Sequence, residues 1–130
     1  MSAGRAERRL QDLGRALVRL REALAEGPEN PLAVDGTIQR FEFTFRLTWK
    51  TLKQLLAREG FETASPREAL QRAYALGWLA DEAAWLDMLD DRNLTSHTYN
   101  EATAARIYAR VGAHAETLER LYALLTARYT

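Results

Sequence analysis

The chain has 130 residues, carries 18 basic and 18 acidic side chains for a net charge of zero, and contains no cysteine. That length suits one domain over residues 1–130 whose core needs no staples, and the missing cysteines exclude disulfides and thiolate metal sites. The charge balance excludes a broad electrostatic footprint on nucleic acid, so any RNA contact has to be local.

The first predicted helix covers about residues 6 to 26. Leu10, Leu13, Leu17, Leu20 and Leu24 recur at steps of three and four, which is one stripe of a helix whose other faces carry Arg and Glu. Gly27-Pro28-Glu29-Asn30-Pro31 ends it, because proline cannot extend the hydrogen-bond ladder. So short a connection predicts that the next helix returns antiparallel.

The second helix is expected over about residues 32 to 59. Ile38, Phe41, Phe45, Thr48, Leu52 and Leu55 form its main stripe, while Phe43, Leu47 and Trp49 lie on other sides. Apolar residues on more than one face fit either a thick core or a second buried surface against another protomer or a partner. Arg46, Lys50 and Lys53 form a small basic edge, read either as a solvated face or as part of an RNA track.

Gly60 stops this helix. Ser65-Pro66-Arg67-Glu68 starts a short third one, with Ser65 as N-cap, Pro66 at the first helical position and Glu68 closing a capping box. It ends before Gly77. Asp81 caps a fourth helix that runs through Trp85, Leu86, Met88 and Leu89 toward Arg92. Its Asp87 and Asp91 lack a histidine within the helix, and read as solvated or paired with arginine rather than as metal ligands.

The last helix is expected over about residues 99 to 127, with Ile107, Val111, His114, Leu118, Leu121 and Leu125 along one seam. A histidine on such a seam reads as a core or interface residue with a satisfied ring. Arg106 and Arg110, one turn apart, face either RNA or solvent. No apolar run approaches the roughly 18 residues of a membrane span, and charged residues stand where a signal peptide would be apolar. A cytoplasmic protein with no membrane partner is the expectation. The predicted fold is all-α: an antiparallel up-and-down bundle of the four-helix type with an extra short helix.

Between the last two helices lies Arg92-Asn93-Leu94-Thr95-Ser96-His97-Thr98-Tyr99. A guanidinium forks onto phosphate oxygens, and an imidazole exchanges protons near neutrality. Together they suffice for RNA cleavage without a metal or other cofactor. On an unbroken helix, five steps of about 100° would set positions 92 and 97 roughly 140° apart, so the helix has to break between them. Asn93, Thr95, Ser96 and Thr98 favour such a break by bonding to nearby backbone. Thr98-Tyr99-Asn100-Glu101 reads as a capping box, with Thr98 as N-cap, that would open the next helix beside His97 and favour an anion there. The bland alternative pairs Arg92 with Asp91 or Glu101 and leaves His97 bonded to a backbone carbonyl.

The run Arg92-Asn93-x3-His97-x-Tyr99 resembles the HEPN family, and its tight spacing is similar to the toxin subunits paired with minimal nucleotidyltransferases. Arg40-Phe41-Glu42-Phe43-Thr44-Phe45, Trp49-Lys50-Thr51-Leu52-Lys53, Ser65-Pro66-Arg67 and Trp85-Leu86-Asp87-Met88-Leu89 are similar to the subgroup called nucleotidyltransferase substrate-binding proteins. The resemblance covers roughly residues 35 to 111. It implies Arg92 and His97 as the ribonuclease pair, Asn93 in support, and a site composed by two protomers in a homodimer or larger homo-oligomer. It also implies a cognate minimal nucleotidyltransferase that adenylylates Tyr99. The alternative it implies is a non-catalytic subunit that presents substrate to the transferase.

Overall fold

A computed structural model describes residues 3–130. Residues 1 and 2, part of the stretch read for a signal peptide, lie outside them. The chain forms α1 (Ala3–Ala25), α2 (Pro31–Arg58), α3 (Pro66–Ala75), α4 (Glu82–Asn93), a 3-10 turn (Leu94–His97) and α5 (Glu101–Tyr129), with no strand among the described residues.

Local chemistry sets these ends. Asn30 Oδ1 accepts from the Leu32 N–H at 2.9 Å, with Pro31 at the first position of α2. Ser65 Oγ accepts from the Glu68 N–H at 3.2 Å, and Glu68 in return accepts from the Ala64 N–H at 3.1 Å, one residue upstream of the usual capping-box partner. Gly77 closes α3 at a φ of +81°, a left-handed conformation that only glycine adopts without strain. Asp81 Oδ1 then accepts from the Ala84 N–H at 3.1 Å to open α4.

Side-chain pairings give the helix directions. Arg58 at the end of α2 reaches Glu7 near the start of α1, so those two run antiparallel. Phe41 stacks on His114 and Glu59 accepts from Arg128, so α2 and α5 run the same way. Trp85 lines one cavity with Thr117 and Leu121 whereas Asp91 meets Arg110 and His114, so α4 runs back against α5. The result is an up-and-down bundle with α2 and α5 side by side, α1 on one flank and α3 with α4 on the other; α1 and α4 do not touch.

The apolar stripes meet in one core. Leu10, Leu13, Leu17 and Leu20 from α1, Ile38, Phe41, Phe45, Leu52 and Leu55 from α2, and Ile107, Val111, Leu118, Leu121 and Leu125 from α5 are all buried. Side chains of this size each contribute about 1.5 to 3 kcal/mol on burial, which outweighs the weak helix propensity of the threonines and aromatics in α2. Thr37, Thr44, Thr48 and Thr51 are buried too, and each hydroxyl donates to the carbonyl four residues earlier, at 2.6 to 2.8 Å. Of the apolar residues on the other sides of α2, Leu47 and Trp49 pack against the core, whereas Phe43 stays 49% exposed.

Candidate functional site

The chain around Arg92 breaks as the spacing requires. Thr95 Oγ1 donates to the Arg92 carbonyl at 2.7 Å and Ser96 Oγ to the Asn93 carbonyl at 3.5 Å, so short hydroxyl side chains take acceptors that a continuing helix would use. The backbone tightens into the 3-10 turn. The expected capping box at Thr98 does not form. Thr98 keeps helical dihedrals (φ −75°, ψ −4°) and its hydroxyl donates back to Thr95 O at 3.4 Å. An N-cap needs extended backbone, and Asn100 supplies it (φ −86°, ψ 117°). Its Oδ1 accepts from Ala102 N–H at 2.9 Å and Thr103 N–H at 3.1 Å. So α5 begins at Glu101 rather than 99, and two of the N–H groups expected to favour an anion beside His97 are already used.

Arg92 lines an open groove of about 430 Å³ together with Gln39, Glu42, Asn93, Thr95 and Ser96. Its Nε lies 3.7 Å from Glu42 Oε2, both side chains being 26% exposed, and its guanidinium sits 5.9 Å from the Phe45 ring centre. Its partner is therefore Glu42 of α2, not the neighbouring Asp91 or Glu101. Asn93 Oδ1 accepts from Arg92 Nη1 at 3.4 Å, which steadies the fork from the other side. His97 is exposed and does not line this groove. Its Nδ1 shares a hydrogen bond with the Tyr99 hydroxyl at 3.2 Å, and the two rings meet edge to face at 5.8 Å. Tyr99 is 83% exposed. Within one copy, then, Asn93 is bonded to Arg92 and Tyr99 to His97, and His97 is not among the residues lining the Arg92 groove.

The basic edge of α2 is partly engaged already. Arg46 pairs with Glu42 at 3.1 Å and lies over Phe43, while Lys53 lies over Trp49. Lys50 is exposed, and none of the three lines the Arg92 groove.

A polar cluster that the sequence reading missed lies directly behind Arg92. Asp91 is fully buried; its Oδ2 shares a hydrogen bond with His114 Nε2 at 2.7 Å and forms an ion pair with Arg110, whose Nε lies 3.1 Å away. The His114 ring, 6% exposed, stacks on Phe41 at 5.2 Å. Asp91 is thus paired with arginine as expected but not solvated, and the histidine absent from its own helix comes from α5. Asp87 is exposed, 3.8 Å from Arg110. The available signal was His114 itself: an imidazole on an apolar seam requires a buried acceptor, and the helix before it offers acids. No group of three or more potential metal ligands converges among the described residues, and no helix there is long and apolar enough to cross a membrane.

The family model described as nucleotidyltransferase substrate binding protein like matches residues 8–127. The chain belongs to this family. It is the subgroup to which the Arg40–Phe45, Trp49–Lys53, Ser65–Arg67 and Trp85–Leu89 runs pointed. The chain is similar to a protein of Haemophilus influenzae named probable ribonuclease HepT, 32% identical over 83 residues, which make up 60% of this chain. That match spans just 57% of the relative's length. A solved structure from Thermus thermophilus has the same fold at a TM-score of 0.81 and 41% identity, covering 87% of this chain and 98% of that one. A second, from Haemophilus influenzae, is described as revealing the fold of a substrate binding domain of a nucleotidyltransferase. It superposes with a TM-score of 0.71 at 25% identity, covering 95% of this chain and 98% of that one. The family match and both solved structures therefore agree on the all-helical fold.

Proposed function

We propose that this family member is a HEPN-type ribonuclease toxin, an endoribonuclease that needs no metal and is silenced by a partner minimal nucleotidyltransferase. The observation that carries the reading is a part-exposed guanidinium at a polar groove, one 3-10 turn ahead of an exposed imidazole. A 2′-hydroxyl loses its proton, its oxygen attacks the adjacent phosphorus, and the bond to the 5′-oxygen breaks as that oxygen gains a proton. Arg92 binds the phosphate and offsets the charge that grows in the transition state, and His97 moves the protons. Asn93 holds the fork, and Arg46, Lys50 and Lys53 extend the RNA track along α2.

Because His97 does not line the Arg92 groove of its own copy, the reading takes the catalytic imidazole from a second copy across a two-fold axis. A homodimer then holds two such composite sites, each joining Arg92 of one copy to His97 of the other, and in each the one imidazole takes the 2′-hydroxyl proton and returns a proton to the 5′-oxygen. Tyr99 is the control point. Its phenol oxygen attacks the α-phosphorus of a nucleoside triphosphate held by the transferase, pyrophosphate leaves, and the phenolic proton is released. The new phosphodiester places negative charge beside His97 and repels RNA.

The test uses purified chain, RNA and excess chelator. Wild type cuts the RNA, and His97→Ala loses at least about a hundredfold in rate with the dimer intact. Co-expression with the cognate transferase adds nucleotidyl mass at Tyr99; no added mass rejects that assignment. The family description and the Haemophilus influenzae substrate-binding fold favour a second reading, a subunit that presents substrate to the transferase and cleaves nothing. Wild-type protein that binds nucleotide or RNA but leaves RNA whole selects it.

A further inference from the structure

We infer that Asp91, gripped by His114 and Arg110 of α5, is the positioning residue for the Arg92 turn. The inference builds on the proposed role of Arg92, though its structural part can be tested separately. Between Leu89 and Ala104, Asp91 is the one buried side chain among the described residues. Every residue proposed for chemistry in that stretch, Arg92, Asn93, His97 and Tyr99, is exposed or half-exposed. Leu94 packs on the core only in part. The segment that must hold a phosphate-binding fork in place thus has almost no apolar anchorage, and its fixed point is a carboxylate.

That carboxylate is tightly constrained. Its hydrogen bond to His114 and its ion pair with Arg110 both fall on Oδ2, and the buried Oδ1 has no hydrogen-bond partner among the described residues. Loss of either partner therefore leaves a buried charge short of compensation, a large penalty that ties Asp91 to one geometry. The ring that grips it is in turn stacked on Phe41, fully buried in α2. Asp91 precedes Arg92 in the chain, and Phe41 precedes Glu42, the ion partner of Arg92. One chain of contacts, Asp91 to His114 to Phe41, runs beneath the Arg92–Glu42 pair and joins α4, α5 and α2. Apolar surfaces tolerate small rotations and slides of a helix, whereas a short directional bond does not. A slip of α4 by one residue would swing Arg92 by about 100° and shift it about 1.5 Å, enough to remove it from the groove.

The experiment compares wild type with Asp91→Asn, His114→Gln and the double variant Asp91→Leu/His114→Phe, all as full chains. Each is measured for thermal stability, amide exchange of residues 92–100, and chelator-resistant RNA cleavage with kcat and KM separated. The double variant removes the buried Asp–His pair and keeps the volume apolar, while Arg110 is part-exposed and still has Asp87 at 3.8 Å, so the variant melts near wild type. Its amides at 92–100 nonetheless exchange about tenfold faster or more, α1 amides are unchanged, and kcat falls about tenfold or more with little change in KM. His114→Gln, which still offers a donor to Asp91, keeps most of the protection and the rate. Asp91→Asn, with one charge gone but the shape kept, falls between. Wild-type exchange at 92–100 in the double variant would overturn the inference. If the wild type cleaves no RNA, the exchange data still decide the positioning, and only the ribonuclease reading fails.

Discussion

Arg92 already has an anion beside it. Glu42 sits 3.7 Å from Nε, and it is itself held by Arg46 at 3.1 Å. A phosphate entering the groove competes with that carboxylate for the same guanidinium face. Two part-exposed groups gain little from each other, about 1 kcal/mol at most, so the pair keeps the fork oriented without blocking an incoming phosphate. Glu42→Gln keeps the shape and deletes the competitor. It is expected to tighten binding of a short RNA by up to about fivefold at low salt, measured by titration, with the gain fading as salt rises. Equal or weaker binding would mean that Glu42 assists the substrate rather than competing with it. None of this was legible in the sequence. A carboxylate fifty residues upstream of Arg92 leaves no periodic mark, and the nearby Asp91 and Glu101 were the more obvious partners.

At the scale of elements, the ends of helices and their ties decide how firmly the turn is framed. Asn100 caps α5 immediately after the proposed chemistry. Asn100→Ala is expected to cost about 1 kcal/mol in urea unfolding and to loosen the first turn of α5 next to Tyr99. Thr98→Ala should cost much less, because Thr98 caps nothing; the reverse order would restore the earlier start of α5. Ser65 and Pro66 located α3 and Asp81 located α4 because such residues act on their own neighbours. The start of α5 was misplaced because Thr98 fits the capping-box pattern, whereas the backbone stays helical there and turns extended only at Asn100, which caps instead.

A second tie joins α1 to α5. Arg21 donates to Glu119 through two nitrogens, at 3.0 and 2.6 Å, and this hydrogen bonding holds the Glu119 carboxyl below its ordinary value of 4.5. A carboxyl whose folded value is depressed stabilises the fold above its unfolded value, and that stability is lost as pH falls through the folded one. Both groups are well exposed, so the contribution stays within about 1 kcal/mol. Glu119→Gln should therefore lower stability at pH 7 slightly and flatten the acid limb below about pH 4.5 in a pH series of thermal melts. An unchanged acid limb would show that the pair contributes nothing in solution.

For the whole molecule, three leucine- and aromatic-rich stripes were enough to indicate an all-α bundle, because burial of large side chains at helical spacing has few other solutions. Periodicity cannot show which polar groups meet across helices. The Asp91–His114 contact, the Arg92–Glu42 pair and the place of His97 outside the lining of the Arg92 groove all depend on three-dimensional packing. That placement makes assembly the decisive question for the ribonuclease account, which needs Arg92 of one copy and His97 of another at one phosphate. Mixing two inactive variants, Arg92→Ala and His97→Ala, tests this most directly through chelator-resistant RNA cleavage after subunit exchange. Random exchange at equal amounts makes half of the dimers mixed, and each mixed dimer holds one intact site of two. The account therefore predicts recovery to about a quarter of the wild-type rate. Mixed dimers that form but cleave nothing, or single variants that cleave as well as wild type, would contradict it.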